Sequence, residues 1–418
     1  MLIKLRNKLG LNRFTFVSII VLFAGIGTAF LLITRAATSN ATFEAEDTAK
    51  SGIATCADAS ASKGNYIRFG TTTCGGGSTG YYNPGPYSFD QCLSRTGAKM
   101  LVTGDVQTYR NNTPGDDSTI DARSFNSTAF PSVNTYPLNL GKSTSIPNRV
   151  CVVGGAVAGT QPESYTWQEV KNTDGTGIRL AANRRGAGTT WSIIDGFRSH
   201  NVEDGIRPAG TESLTPPDGD GFFVRNAYET YTRDDCIEND YFAAGTVYDS
   251  LFDGCYQGFS EQDNAGSLYD NSPADPSEQF FIDHVAIRLQ IMPGPNANPS
   301  GTGHAQFFKK WSSPASNKVV VRDSVFYSEG VPLEDANFPF PAGSQLTNVT
   351  LVYGPGASKW NTSKWGDPTK IPGLTVVYDK AVWDAARTKW LTRHGCATTP
   401  GIKATSNTCT KLFNPDGF

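Results

Sequence analysis

The chain has 418 residues, among them 43 glycines, 24 prolines and only 3 methionines, and just 18% of its residues are charged. That turn-rich, weakly charged make-up points away from a helical cytosolic enzyme and towards an extended extracellular β architecture. Setting aside the five basic residues of the first 35 positions reduces 36 basic residues to 31 against 39 acidic ones, which disfavours nucleic acid as a partner.

Lys4, Arg6, Lys8 and Arg13 precede an apolar run over residues 14–33, and no acidic residue occurs before Glu44. Such a run is long enough to cross a bilayer, with the positive flank kept inside. Arg35 stands where a small residue would favour cleavage, so an uncleaved anchor over 1–37 is preferred to a cleaved signal peptide. Either reading exports the remainder to the cell surface or the medium.

Residues 38–70 read as a small β unit with alternation in "NYIRF", and the Gly-rich stretch 71–87 as a linker. Phe43-Glu44-Ala45-Glu46 and the later Ala61-Ser62-Lys63-Gly64-Asn65-Tyr66 resemble the opening strands of jelly-roll carbohydrate-binding modules over about 30 residues. The other strands of such a module are missing, so a β-hairpin closed by Cys56 and Cys74 is expected. The eight cysteines contain no CxxC, and in an exported chain they read as disulfides, not zinc ligands. Local pairing joins Cys56 to Cys74 and Cys396 to Cys409; spacing leaves the connectivity of the others open, with Cys236 to Cys255 and Cys92 to Cys151 as the expected pairs.

From 88 to 375, short β-branched or aromatic runs recur between turn residues. Val224 and Val247 lie 23 positions apart, and "VRDSVF" at 321–326 repeats "VYDSLF" at 247–252. A period of this size means stacked units. Leucine-rich repeats would need a regular leucine ladder, which is missing, so the reading is an all-β fold: a right-handed parallel β-helix in which Ile194, Val224, Val247, Ile282 and Val321 stack inward. In the tail, 376–418, Asp379 can cap a helix at 380–394, whose Val382, Trp383, Ala386, Trp390 and Leu391 recur at helical spacing and which Gly395 ends. That helix is expected to cover an open end of the solenoid.

These coils resemble the pectate lyase and polygalacturonase superfamily. "DGDGFFV" (218–224) followed by "RDDCI" (233–237) is similar to the NTDG and DDC motifs of polygalacturonase-type glycosidases, and the resemblance implies acid and base roles for Asp220, Asp234 and Asp235 in inverting hydrolysis. The pattern departs from that family where Gln257-Gly258 stands in place of His-Gly, and where Arg288-Leu289-Gln290 is the nearest counterpart of Arg-Ile-Lys. A second likeness is to uncharacterised exported bacterial β-helix proteins sharing the segments at 234–240, 249–260, 288–295 and 303–309; it implies no chemistry.

An offset of 23 sets Glu238 beside Glu261, a possible proton-sharing or cation-binding pair, and Asp235 beside Gly258. Asp234 and Asp235 can face one side only at a turn or bulge. Aligning Ile282 with Val247 pairs Arg288 with Asp253. His304, followed by Phe307, Phe308, Lys309 and Lys310, has the mixture of a sugar-binding rim. The catalytic candidates are thus Asp220, Asp234, Asp235 and Glu238, with Glu261, Arg288, His304 and Lys309 as substrate-binding candidates. Four scattered histidines show no metal-ligand spacing. The functional expectation is a monomeric, surface-anchored or secreted protein that acts on or binds polysaccharide or a cell-surface glycan, as a glycoside hydrolase without cofactor. Two alternatives stand beside it: a non-catalytic glycan-binding or adhesive protein, and a lyase using Ca²⁺ with Arg233, Arg288, Lys309 or Lys310 as base.

Overall fold

Six corners of the chain are occupied by Gly196, Asn226, Asp249, His284, Asp323 and Asn348, all with φ between 40° and 80°. Gly, Asn and Asp tolerate that left-handed conformation better than other residues, which is why the repeat carries them between its β-branched runs. Each corner N–H donates to the next coil: Gly196 to the Arg225 carbonyl, Asn226 to Tyr248, Asp249 to Asp283, His284 to Arg322 and Asp323 to Thr347, at 3.0 to 3.3 Å. One sharp bend is thereby repeated coil after coil.

This computed structural model describes residues 53–57, 65–69, 92, 97–104, 115, 117–127, 137–140, 150–172, 175–181, 192–209, 221–239, 244–261, 279–293, 302–309, 311, 318–330, 339–357, 359–405 and 409. The chain divides into two units, Met1–Asn83 and Pro84–Phe418. In the first, Ile53–Ala57 pairs antiparallel with Asn65–Phe69, Ile53 opposite Phe69, giving the expected hairpin. Glu44, Cys74 and the apolar run at 14–33 lie outside the described residues. Among those described, no helix is long and apolar enough to cross a membrane.

In the second unit, 20 strands form one parallel sheet that winds as a solenoid, consistent with a parallel β-helix. Its strands fall into three faces. Face A carries Ser192–Asp195, Gly221–Arg225, Ala244–Tyr248, Gln279–Asp283 and Lys318–Arg322, with Ile194 paired to Val224, Val224 to Val247, Val247 to Ile282 and Ile282 to Val321. These side chains are buried in one continuous core, as the period of 23 implies. Face B follows the corners, with Phe252, Ile287, Phe326 and Leu351 stacked inward. Face C holds Ile206, Ile237, Phe259 and Phe308 in register. The long strands Tyr228–Asn239 and Leu251–Glu261 run through both B and C.

Among the described residues three α-helices flank the coils: α1 (Trp167–Lys171), α2 (Thr362–Trp365) and α3 (Lys380–Arg393). The predicted start and stop of α3 hold: the Asp379 carboxylate accepts the Ala381 N–H, and Gly395 has φ 62°. Its placement differs from expectation. It lies along the side of the solenoid on face B, where Trp383 stacks on Tyr327 and Trp390 packs on Tyr228 and donates to the Asp249 carbonyl. The reason is the outward row of face B, where Tyr228, Leu251 and Ala286 are apolar and buried only because the helix covers them. The last coil is finished instead by Trp360 and Leu374, which join the interior core with Trp365 and Ile371 against it.

Disulfides join Cys92 to Cys151, Cys236 to Cys255 and Cys396 to Cys409, in the pairing expected, and they fit an extracellular protein. The proposed Cys56–Cys74 bridge falls outside the described side chains. Because Ile282 is fully buried between Val247 and Val321, Ile282→Ala should lower the free energy of unfolding by about 2 to 5 kcal/mol, read from urea denaturation.

Candidate functional site

The acidic stretch around Cys236 owes its geometry to a bulge. Thr232 lies opposite Cys255 but Asp235 lies opposite Gln257, so Arg233 and Asp234 together face the single residue Tyr256. An extra residue of this kind re-aims side chains that would otherwise alternate. The Cys236–Cys255 disulfide spans the irregularity from inside the core. As a result both neighbouring carboxylates reach one ammonium: Lys309 Nζ is 3.3 Å from Asp234 Oδ1 and 3.0 Å from Asp235 Oδ2.

A third carboxylate arrives from the preceding coil. The Gly205 N–H donates to the Asp235 carbonyl at 3.0 Å, and the Asp235 N–H donates to Asp204 Oδ1 at 3.3 Å. Glu238, on the outward side of face C, pairs with Arg207 at 2.7 Å. One oxygen from each of Asp204, Asp235 and Glu238 lies within 4.8 Å of the others. Gln257 completes the floor by donating its side-chain amide to Asp234. From α1, Lys171 reaches Glu203 at 3.5 Å with its side chain half exposed. Asp204 was missed in the sequence, although a signal existed: Asp204-Gly205-Ile206 echoes Asp235-Cys236-Ile237, and Ile206 stacks on Ile237.

The electrostatics follow from burial. Asp204, Asp234 and Asp235 are all buried. Loss of water raises the proton affinity of Asp204, with the Asp234 charge adding to it, and its pKa is pushed up to about 6. Burial likewise holds Asp235 well above the usual carboxylate range, against the opposing pull of Lys309 and with Asp234 and Asp204 adding to the rise. Lys309 itself is driven upward by Asp235 and Asp234 in spite of its desolvation, so it stays protonated. The centre therefore sets carboxyl groups of raised proton affinity beside further carboxylates, with the Lys309 ammonium and the Arg207 guanidinium supplying counter-charge.

The other predicted residues go elsewhere. Across the bulge Glu238 opposes Ser260, and Glu261 opposes Asn239, so the expected Glu238–Glu261 pair does not form: the bulge shortens the offset by one. Glu261 is fully buried and within 3.4 Å of the Asn239 amide. Arg288 does meet Asp253, at 2.9 Å, but on face B, where it also contacts Glu329 and Gln290. His304 is not at a rim: it is buried, its ring nitrogens 2.8 Å from the Ala305 carbonyl and 3.0 Å from that of Gly330, and burial lowers its pKa. Arg233 binds the carbonyls of Pro162 and Tyr165 and so anchors the loop leading to α1. Asp220 and Lys310 lie outside the described residues. A separate group, Asp283, His284 and Asp323 at the corner between faces A and B, has one potential metal-ligand atom each within 4.8 Å of the others.

No protein family, curated protein or solved structure matches this chain. What can be said of the centre rests on its geometry.

In the folded state Asp204 holds its proton more tightly than in the unfolded chain, where the ordinary value is 3.8. The stability this contributes is therefore complete below about pH 4 and is lost as pH rises through about 6. Asp204→Asn should remove that loss, so that the variant gains on the wild type between about pH 4 and 7, as read from urea midpoints across that range.

Proposed function

We propose that this chain acts on polysaccharide outside the cell as a glycoside hydrolase whose acid centre is Asp204, Asp234, Asp235 and Glu238. The observation that carries this reading is the convergence of Asp234 and Asp235 on the Lys309 ammonium, with Asp204 of the preceding coil accepting the Asp235 N–H and burial raising the Asp235 pKa. Glycosidic cleavage needs a group that protonates the departing oxygen and a carboxylate that attacks carbon or activates water. Asp235 is suited to the first task, and Asp204 or Asp234 to the second. The likeness to polygalacturonase-type glycosidases adds support in a modified form, since Asp204 supplies the third aspartate next to Asp234 and Asp235. Gln257, where that family has histidine, touches Asp234.

The spacing bears on mechanism. Carboxylate oxygens within 4.8 Å are closer to the separation of about 5 Å used in double displacement than to the roughly 6.5 to 9.5 Å of single displacement. The lyase alternative draws less support, because Arg288 and Lys309 are both ion-paired and Lys309 is held protonated, which suits neither to removing a proton.

The test is release of reducing ends from a panel of polysaccharides, with unsaturated products monitored in parallel. Reducing ends are expected without unsaturated products, and Asp235→Asn should lower the rate on the order of 10²- to 10⁴-fold. The anomer formed first, observed by proton NMR, separates single from double displacement. Activity that survives Asp235→Asn removes this centre from catalysis, and binding without any product makes the protein a glycan-binding surface module.

A further inference from the structure

The Glu229 carboxylic acid lies on the inner side of face B. Glu229 pairs with Ser199 on one coil and Phe252 on the next, a row that continues inward through Ile287, Phe326 and Leu351. It is fully buried, and one of its oxygens accepts the Thr232 hydroxyl at 3.1 Å. A position in an apolar row is a costly place for an acid, and nothing in the stacking of hydrophobic neighbours calls for one.

What Glu229 touches accounts for its place. Its carboxyl lies against the backbone of Gly205, where a methyl group would come 1.7 Å from Oε2 and 2.3 Å from the carboxyl carbon. A side chain at 205 would therefore require the Glu229 carboxyl to move out of that space. The same residue donates its N–H to Asp235, and Asp204 directly before it receives the Asp235 N–H. The interior acid therefore backs the short segment that presents Asp204 to the centre on the opposite side of the wall.

We propose that Glu229 is a positioning residue of the acidic centre, a wedge that holds the Asp204–Gly205 backbone outward from within the solenoid. The inference rests on assigning Asp204 to that centre but not on any turnover by it. Burial raises the Glu229 pKa well above the usual carboxylate range, and what the geometry assigns to it is a role of shape and hydrogen bonding. Asp204 meanwhile faces Asp234, Asp235 and Glu238 from the neighbouring coil, Glu203 and Arg207 on its own, Lys309 from face C and Lys171 from α1. Any inward relaxation of its backbone changes how far it stands from all of these.

The full chain can be labelled with carboxyl-¹³C aspartate, the Asp204 signal assigned by its loss in Asp204→Asn, and its titration followed by NMR. In Glu229→Gln the Asp204 midpoint should stay within a few tenths of the wild-type value near 6. In Glu229→Ala it should fall by about one unit as the segment relaxes and admits water. Gly205→Ala should disturb it too, because the new methyl displaces the acid. Combining Gly205→Ala with Glu229→Ala should restore the midpoint and at least half of the lost urea stability, since the methyl occupies the vacated space. An unmoved midpoint in Glu229→Ala, an equal shift in Glu229→Gln, or additive losses in the double variant would each overturn the proposal. Should Glu229→Ala fail to fold, the comparison of Gly205→Ala with the double variant decides it alone. None of these readouts requires a substrate, so failure here is distinct from failure of the hydrolase reading.

Discussion

Coil-to-coil hydrogen bonding is the constraint from which the rest of this structure follows. Every strand of the main sheet pairs in parallel with its counterpart on the neighbouring coils, and the left-handed corners are bonded into the same ladder. A residue's partner is thus fixed by register and not by nearness in sequence, and a slip by one residue would turn every inward side chain outward. Apolar stacks such as Val224, Val247 and Ile282 oppose such a slip, because each would exchange its place in the core for water.

Within that ladder the acidic centre is an exception made by one extra residue. Regular pairing would set Asp234 and Asp235 on opposite sides of the wall. The bulge between Thr232 and Asp235 turns both towards Lys309. The Cys236–Cys255 bond sits where the irregularity would otherwise be free to move along the strand, and a closed loop of this length also restricts the unfolded chain. Such a bond fits an oxidising, extracellular setting better than a reducing compartment.

Much of the fold was written in the sequence, for a physical reason: the repeat is simple, and its corners accept few residue types. The period, the inward stack, the pairing of Arg288 with Asp253, the three disulfides seen here and both ends of α3 could be read from spacing and local chemistry. The site was less accessible. Summing a constant offset of 23 placed Glu238 next to Glu261, and only the bulge, which no local pattern announces, makes the true offset one less. Asp204 escaped notice because it lies 31 residues from Asp235 and not at the regular offset of 23, so that similarity of their short motifs was the sole clue. His304 misled for another reason: aromatic and basic neighbours suggested a rim, whereas the phenylalanines face the core and the ring is used for carbonyl contacts. Placing α3 required knowing which outward row was apolar, a property of three coils at once.

Burial and chemistry are the same feature at this centre. Carboxylates in water are ionised near neutral pH and donate no proton; to keep one protonated, the protein must remove it from solvent and crowd it with others of its kind. Doing so costs stability that an apolar face would not lose. Lys309 limits the cost by contributing a fixed positive charge between Asp234 and Asp235, and Arg207 does the same for Glu238. Two cations beside four acids leave the cluster short of neutrality, and that shortage adds to the rise in proton affinity of Asp204 and Asp235.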